Sequence, residues 1–142
     1  MNIMDPENYI YPQSAIDSAI KIINFNSDGL VPAIAQQHDT GEVLMMAWMN
    51  RESITETLKN GLVCYYSRSR KKLWRKGEVS GHTQSLKDFR IDCDGDTILL
   101  LVQQIGVACH TGRPNCFFNS VVTDGIKVIT DVKIDPKDMY NK

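Results

Sequence analysis

Two hydrophobic periods run through this chain of 142 residues, one typical of helices and one typical of strands. Apolar residues recur at helical spacing in 14–23, and Asn50 and Gly61 are a suitable N-cap and a suitable C-terminal glycine for a second helix between them. The other apolar runs are short, as strands are, although 43–49 is also apolar enough to cover a sheet. These predicted strands occupy 31–37, 43–49, 62–67, 86–92, 97–103, 116–123 and 126–132.

Glycine and aspartate mark the connections between these elements. The predicted hairpin turns are Asp39-Thr40-Gly41, Asp94-Gly95 and Asp124-Gly125. We expect 68–81, with Trp74 inside it, to be a functional loop, and 108–115 to be a second loop. Many short strands with one or two helices predict a compact single domain of the α+β class that is predominantly β.

The chain is divided by these patterns into three parts. We expect an N-terminal helical extension at 1–28, a main domain at 29–134, and a polar, frayed tail at 135–142. A chain of this length is sufficient for one hydrophobic core.

Charge and composition narrow the functional classes. The net charge is −1, with 16 basic and 17 acidic residues, so the chain as a whole has no electrostatic footprint for nucleic acid. The first residues lack the basic start and apolar run of a signal peptide, and no apolar stretch approaches membrane-spanning length. We therefore expect a cytoplasmic protein, in which the four cysteines are free thiols or metal ligands rather than disulfides.

The segment Asp92-Cys93-Asp94-Gly95-Asp96 combines hard and soft metal ligands. If it is extended, its three aspartates point one way and Cys93 points the other. Three carboxylates on one face repel each other without a cation, and Mg²⁺ is expected because it prefers carboxylate oxygen. A solvated acidic hairpin tip is the common alternative. A calcium-hand loop fits less well, since Thr97 and Gln103 stand where that loop needs glycine and glutamate.

Three cysteines are candidates for a zinc site. Cys93, Cys109 and Cys116 lie in polar segments, whereas Cys64 lies in a predicted strand and is expected to be buried. Three thiolates leave one tetrahedral position open, which is typical of a catalytic zinc, and a closed structural site would take Cys64 or His110 as well. Beside an open position His110 is a candidate general base or acid, although most single histidines are ordinary polar side chains.

A dense cationic run precedes the acidic segment. Its cations are Arg68, Arg70, Lys71, Lys72, Arg75 and Lys76, and Ser67, Ser69 and Trp74 lie among them. Such a run is usually a solvated basic face, but guanidinium groups and hydroxyls beside a metal site also recognise phosphate. Trp74 either stacks on a base or belongs to the core, and Glu78 either pairs with the cations or is a catalytic carboxylate.

Together these motifs resemble the phosphoribosyl-AMP cyclohydrolase family, which acts in the third step of histidine biosynthesis. The matching stretches are Ala47-Trp48-Met49-Asn50, Tyr66-Ser67-Arg68-Ser69-Arg70, Leu73-Trp74-Arg75-Lys76-Gly77-Glu78, Ser80-Gly81-His82, Asp92-Cys93-Asp94-Gly95-Asp96, Cys109-His110-Thr111-Gly112 and Cys116-Phe117. The combination is specific, and it extends from about Gly29 to Val121. The chain departs from the family pattern at Val79 and at Pro114-Asn115, so that a phosphate contact at the latter position is either weaker or supplied by Arg113 alone.

The resemblance implies an intertwined homodimer with two metals. It implies one Mg²⁺ per subunit on Asp92, Asp94 and Asp96. It also implies one Zn²⁺ per subunit, held by Cys109 and Cys116 of one protomer and by Cys93 of the other.

The implied reaction is hydrolytic opening of the bond between N1 and C6 of the adenine ring in N1-(5-phosphoribosyl)-AMP, by zinc-activated water. His110 and Glu78 are the catalytic candidates. The candidates for binding this nucleotide are Ser67, Arg68, Ser69, Arg70, Trp74, Arg75, Lys76, Ser80 and Arg113. Some relatives carry a fused phosphoribosyl-ATP pyrophosphatase, but only about twenty residues follow the matching region, so a single-function form is expected.

Three other functions compete with this interpretation. A zinc-stabilised binding module has a closed four-ligand site and unfolds on chelation. A zinc nucleobase deaminase needs H-x-E and P-C-x-x-C motifs, whereas here Thr83-Gln84 follow His82 and Cys116 has no second thiol at that spacing. Nucleic-acid binding by the cationic run is the weakest alternative, because the overall charge is nearly neutral.

Overall fold

The computed structural model describes residues 10–140, which form three helices and eight strands. In chain order these are α1 (Gln13–Ile22), β1 (Val31–Gln37), β2 (Val43–Met49), α2 (Arg51–Asn60), β3 (Cys64–Ser67), β4 (Lys72–Arg75), β5 (Gln84–Ile91), β6 (Ile98–Gln104), β7 (Asn119–Val122), β8 (Gly125–Val128) and α3 (Pro136–Tyr140). The predicted α+β class with a majority of strands is confirmed. The homodimer and the three-part division of the chain stay predictions, and 1–9 and 141–142 lie outside the described residues.

A six-stranded sheet with the order β4-β3-β2-β1-β6-β5 lies at the centre of the described chain. Neighbouring strands are antiparallel except β1 and β6, which run parallel with Ala33 opposite Ile98. Ala35 on β1 and Leu100 and Val102 on β6 are fully buried, because alternate side chains of a strand face the same side of the sheet. β7 and β8 form a separate antiparallel hairpin.

α2 begins and ends at its predicted capping residues. Asn50 Oδ1 accepts from the N–H of Ser53 at 2.8 Å, and Ser53 Oγ accepts from the N–H of Asn50 at 2.9 Å, which forms a capping box. Gly61 ends the helix with φ of 75°. Ile54 and Leu58 are buried on one face, and burial of each side chain stabilises the fold by about 1.5–3 kcal/mol.

α1 belongs to the same hydrophobic core as the sheet. Ile16 and Ile23 are buried, and they cluster with Val31 of β1 and Leu58 of α2. The described part of the N-terminal extension therefore packs directly on the main domain. None of the helices within residues 10–140 has the length and apolar character needed to cross a membrane.

The segment 68–81 was expected to be a loop. Part of it is instead a strand, because β4 lies inside it. β3 and β4 form an antiparallel hairpin in which Tyr65 is opposite Trp74, and the two rings lie 5.4 Å apart. This cross-strand aromatic contact stabilises a strand whose composition is mostly polar.

Two predictions near the C-terminus were wrong in part. The tail contains α3 instead of being frayed, because Met139 is almost fully buried. The strands expected at 116–123 and 126–132 are the shorter β7 and β8. Val122 is opposite Gly125, so Gly125 belongs to β8 rather than to the turn. All four residues of β8 are exposed, so no buried face extends that strand.

Candidate active site

The acidic tip, Asp92–Asp96, joins β5 to β6 as a turn rather than as the extended segment considered above. The N–H groups of Asp96 and Thr97 donate to Asp92 Oδ1 at 3.0 and 3.3 Å, and the N–H of Asp92 donates to Thr97 O at 3.0 Å. The aspartates and Cys93 were expected on opposite faces only if the segment is extended. Because the chain turns here, that expectation does not apply. The Cys93 thiol instead donates to Asp94 Oδ1 at 3.3 Å.

The carboxylates of the acidic tip repel each other. The hydrogen bond with Asp92 and the charge of Asp92 raise the pKa of Asp96. Desolvation opposes the ionisation of Asp92, but hydrogen bonds from Asp96 and from backbone N–H groups outweigh it, so the pKa of Asp92 is lowered. A divalent cation with oxygen ligands would relieve this repulsion, so the carboxylates fit Mg²⁺ in ligand type, although their side chains do not converge on one point in this conformation.

The thiol loop, residues 105–118, connects β6 to β7 and brings Cys109 close to Cys116. The N–H of Cys109 donates to Arg113 O at 3.1 Å, and the N–H of Cys116 donates to Leu44 O on β2 at 2.8 Å. Gly112 O accepts from two N–H groups of the segment before α3, those of residues 133 and 134, at 2.8 and 3.1 Å. The loop is thus tied to the sheet and to the C-terminal segment.

The two thiols affect each other's ionisation. Desolvation raises the pKa of Cys116 to about 12, and the charge and hydrogen bond of Cys109 act in the same direction. Desolvation also opposes the ionisation of Cys109, but hydrogen bonds from Thr111 and Cys116 outweigh it and lower the pKa of Cys109. The Thr111 hydroxyl donates to Cys109 Sγ at 3.1 Å. This pair of adjacent soft donors fits a zinc ion.

Lys76 places a buried cation beside the thiol pair. The residue is 9% exposed, and its Nζ donates to Ala108 O at 2.6 Å. Desolvation lowers the pKa of Lys76, while the charges of Cys109 and Cys116 oppose that shift. Lys76 is the one lysine or arginine buried in the described chain, and an isolated buried ammonium is unfavourable. The Cys109 thiol, whose pKa is lowered, is therefore its natural counter-charge.

Cys93 lies at the other end of β6 from the thiol loop. It precedes Ile98–Gln104 in the chain and Cys109 follows that strand, so a strand length of about 20 Å separates the two ends. Within residues 10–140, no group of three or more His, Cys, Asp or Glu side chains is arranged to hold a metal ion, so neither the acidic tip nor the thiol pair is a complete metal site in this conformation. A three-cysteine site that includes Cys93 therefore requires a second chain.

A groove of about 700 Å³ lies between β2 and the β3–β4 hairpin. Its lining residues are Met46, Ala47, Trp48, Tyr66, Ser67, Arg68, Ser69 and Trp74. The Arg68 guanidinium lies 4.7 Å from the centroid of the Trp48 ring, and Ser67 Oγ is 3.4 Å from Ser69 Oγ. The groove thus combines aromatic rings, a cation and hydroxyls, which together suit a nucleotide.

Two of the predicted phosphate-binding arginines are engaged elsewhere. The guanidinium of Arg75 donates to both carboxylate oxygens of Glu56, at 2.7 and 2.8 Å. Arg113 Nε donates to Thr130 O at 2.8 Å, and its guanidinium lies 4.1 Å from the Phe118 ring centroid. Both side chains therefore have a clear structural role in this conformation.

The other predicted residues differ in exposure. His110, Glu78 and Arg70 are exposed, and the N–H of Arg70 donates to Ser67 Oγ at 3.3 Å. Ser80 is buried, and its Oγ accepts from the N–H of residue 82 at 3.2 Å. His110 is adjacent in sequence to Cys109 of the thiol pair, whereas Glu78 lies two residues after Lys76.

Two residues of this site were missed by the sequence reasoning. Trp48 lies in an apolar run, and strand alternation alone does not say which side of β2 borders a groove. Thr111 had a better signal, because a hydroxyl two residues after a candidate ligand thiol is well placed to donate to that sulfur.

Comparisons with known proteins point to one family. A family model described as "Phosphoribosyl-AMP cyclohydrolase" matches residues 45–118. A protein of that name from Paramagnetospirillum magneticum is 65% identical over 131 residues, which cover 91% of this chain and 99% of that protein. One from Rhodospirillum centenum is 59% identical over 91% of this chain and 97% of its own length. One from Alcanivorax borkumensis is 55% identical over 99% of this chain and 97% of its own length, so the likeness includes the N-terminal extension.

Proposed function

The chain belongs to the phosphoribosyl-AMP cyclohydrolase family, and we propose that it hydrolyses the adenine ring of N1-(5-phosphoribosyl)-AMP in histidine biosynthesis. The observation that carries this proposal is the match at 45–118, because that range contains the groove, the acidic tip and both cysteines of the thiol pair. The bond that breaks joins N1 to C6 of the base.

We infer that the thiol pair and Cys93 of a partner subunit hold zinc. Cys109 and Cys116 are adjacent soft donors, and Lys76 offsets part of their negative charge. The length of β6 prevents Cys93 of the same chain from joining them, which supports a site shared between two chains. When bound there, zinc lowers the pKa of water towards neutrality and so supplies a nucleophile at physiological pH.

We assign the acidic tip to Mg²⁺. Asp92 and Asp96 are close enough to share a hydrogen bond, and Asp94 adds to the negative charge around them. All three are exposed, so a cation held there remains accessible to phosphate or ribose oxygens of a substrate.

The groove between β2 and the β3–β4 hairpin is the proposed nucleotide site. Trp48 and Trp74 offer aromatic faces for the base, and Arg68 with the Ser67 and Ser69 hydroxyls suits a phosphate. Arg70, at the tip of the same hairpin, suits the second phosphate of the substrate. Arg75, Lys76, Ser80 and Arg113 are less direct candidates, because each already makes a contact within the protein.

His110 and Glu78 are the proposed acid–base residues. His110 is exposed and follows Cys109 directly in sequence. It is therefore the first candidate for moving a proton between the attacking water and the leaving nitrogen. Glu78 is exposed near Lys76 and is the second candidate.

A homodimer is supported by an apolar surface on the β7–β8 hairpin. Val121 is 82% exposed and Ile126 is 65% exposed, and Val128 and Ile129 are also exposed. A hairpin with this many exposed apolar side chains suits burial against a second copy. We keep the cytoplasm as the proposed compartment, because all four cysteines are free thiols.

The shared zinc site has a direct test in mixed dimers. Cys93→Ser and Cys109→Ser are each expected to lose ring opening and zinc. When the two variants are unfolded and refolded together, a mixed dimer has one fully wild-type site if Cys93 comes from the partner. Half of the dimers are then mixed, so about a quarter of wild-type activity and zinc content should return.

Wild-type protein that does not open the ring of phosphoribosyl-AMP would contradict the proposed activity. If the single variants are inactive and their refolded mixture is inactive too, the proposed activity of the wild type stands, but the sharing of the zinc site between chains is wrong. Full activity of Cys93→Ser would remove Cys93 from the zinc site.

A further inference from the structure

The acidic tip rests against the chain segment that follows α1. Asn24 Nδ2 donates to Asp94 O at 2.6 Å, and the N–H of Asn24 donates to Gly95 O at 2.7 Å. One residue therefore fixes two successive carbonyl groups in the middle of the tip. Asn24 lies seventy positions before Asp94 in the chain, so the contact is tertiary rather than local.

The two segments approach so closely that only glycine fits at the contact. Gly95 is buried and has φ of 74°, and a Cβ there would overlap Ile22 O and lie 3.2 Å from Asn24 Nδ2. The glycine thus allows the backbone of the tip to lie directly on the C-terminal end of α1.

This contact is electrostatically unusual. The C-terminal end of a helix carries partial negative charge, yet here it abuts a turn with three carboxylates. Neither of the ion pairs formed within residues 10–140, Arg75 with Glu56 and Arg90 with Asp88, reaches the tip. Both hydrogen bonds from Asn24 to the tip go to backbone carbonyls, so they hold the tip in shape without neutralising the carboxylates or occupying their oxygens.

We propose that Asn24 is a positioning residue, which fixes the backbone of the acidic tip and so limits how far the side chains of Asp92, Asp94 and Asp96 have to move to surround a divalent cation. This inference rests on the cation site of the proposed function. It gives the N-terminal extension a role in the site, although the extension contributes no ligand. Residues that orient metal ligands typically change metal affinity 10- to 100-fold when they are replaced.

The test is the dissociation constant for Mn²⁺, used as a paramagnetic probe of the tip and measured by titration with electron paramagnetic resonance on zinc-loaded protein. Asn24→Ala and Asn24→Asp both remove the side-chain donor, and Gly95→Ala forces the tip away from α1. Gly29→Ala is the matched control, because Gly29 has φ of 75° but a Cβ there meets nothing within 4 Å. The control therefore has the backbone strain without the collision.

We expect Mn²⁺ binding to be about 10-fold weaker in the Asn24 and Gly95 variants and unchanged in Gly29→Ala, with zinc content unchanged in all of them. A lower melting temperature with unchanged Mn²⁺ affinity would overturn the proposal, because it would show that Asn24 is only structural. Wild-type protein that binds no Mn²⁺ would overturn both the cation site and this inference. Mn²⁺ binding that is lost only in Asp94→Asn, and not in the Asn24 variants, would leave the cation site intact and overturn the inference alone.

Discussion

The two ends of β6 are built in different ways. At one end, the acidic tip is a five-residue turn, exposed except at Gly95, that rests on Asn24 and concentrates carboxylate oxygens. At the other end, the thiol loop has Cys109 buried, is tied to β2 through Leu44 O and to the C-terminal segment through Gly112, and contains soft sulfur ligands. Only one strand separates these two ends in the chain.

The difference shows what keeps each end in place. The thiol loop is held by packing and by several backbone hydrogen bonds, so contacts within the protein determine its shape. The carboxylates of the acidic tip repel each other, so the shape of the tip would depend more on a bound cation. Substitutions at the thiol loop should therefore affect folding strongly, whereas those at the tip should affect cation binding first.

The largest effect is expected from Gly112→Ala in the thiol loop. Gly112 has φ of 87°, and a Cβ there would collide with Ile134 O and lie 3.0 Å from a methyl group of Val132. We expect a loss of about 3–5 kcal/mol in the free energy of unfolding, because backbone as well as side chain has to move. Urea unfolding measures this change.

Gly29→Ala again serves as the control for positive φ. Its Cβ meets nothing within 4 Å, so it should cost only the left-handed strain of about 1–2 kcal/mol. Equal losses for the two substitutions would show that the thiol loop is not held by the contact between Gly112 and the C-terminal segment.

The next effect concerns the charge beside the thiol pair. Lys76→Met keeps an unbranched side chain but removes the ammonium, which leaves Ala108 O without that donor. We expect a loss of about 1–3 kcal/mol in unfolding free energy, and zinc affinity about 10-fold weaker in competition with a chelator. Lys72→Met on exposed β4 is the charge-matched control and should change neither quantity. Zinc affinity equal to wild type in Lys76→Met would show that Lys76 only fills space.

Much of the sheet was predictable from the sequence, because local signals agreed with one another. The strands Val31–Gln37 and Val43–Met49 were predicted with the bounds that the structure has, since apolar runs of strand length flank a turn at 39–41. Asn50 and Gly61 bound α2 for a similarly local reason. β4 was missed because its stabilising contact, between Trp74 and Tyr65, joins two strands.

The candidate site was predictable in its residue types but not in its geometry. The three aspartates and three cysteines are recognisable as candidate ligands, but the turn at Asp92–Asp96 depends on how Asp92 accepts backbone N–H groups. A strand predicted at 97–103 already separated Cys93 from Cys109, so the sequence contained a signal that one chain does not bring them together. The contact between Asn24 and the tip had no local signal, because it joins residues seventy positions apart.

The smallest effect, and the most specific to the tip, is expected from Asp96→Asn. The pKa of Asp96 is raised above its ordinary 3.8 in the folded, cation-free protein, so the folded state holds that proton more tightly than the unfolded chain does. The contribution of Asp96 to wild-type stability should therefore decrease as the pH rises from about that value through the raised pKa, and Asp96→Asn should lack this contribution. The variant should consequently be slightly more stable than wild type at neutral pH without divalent cations.

Added Mg²⁺ should reverse this order. At a Mg²⁺ concentration 100 times its dissociation constant, wild type should gain about 2.7 kcal/mol in urea unfolding, and the variant should gain less, because a ligand oxygen has lost its charge. Asp124→Asn, an exposed aspartate in the β7–β8 turn, is the control and should respond to Mg²⁺ as wild type does. If Asp96→Asn and Asp124→Asn gain as much stability from Mg²⁺ as wild type does, the cation does not bind at the tip. No bound ion would then relieve the repulsion between the carboxylates. The tip would not depend on an ion, and its contrast with the thiol loop, which is held by packing, would be lost.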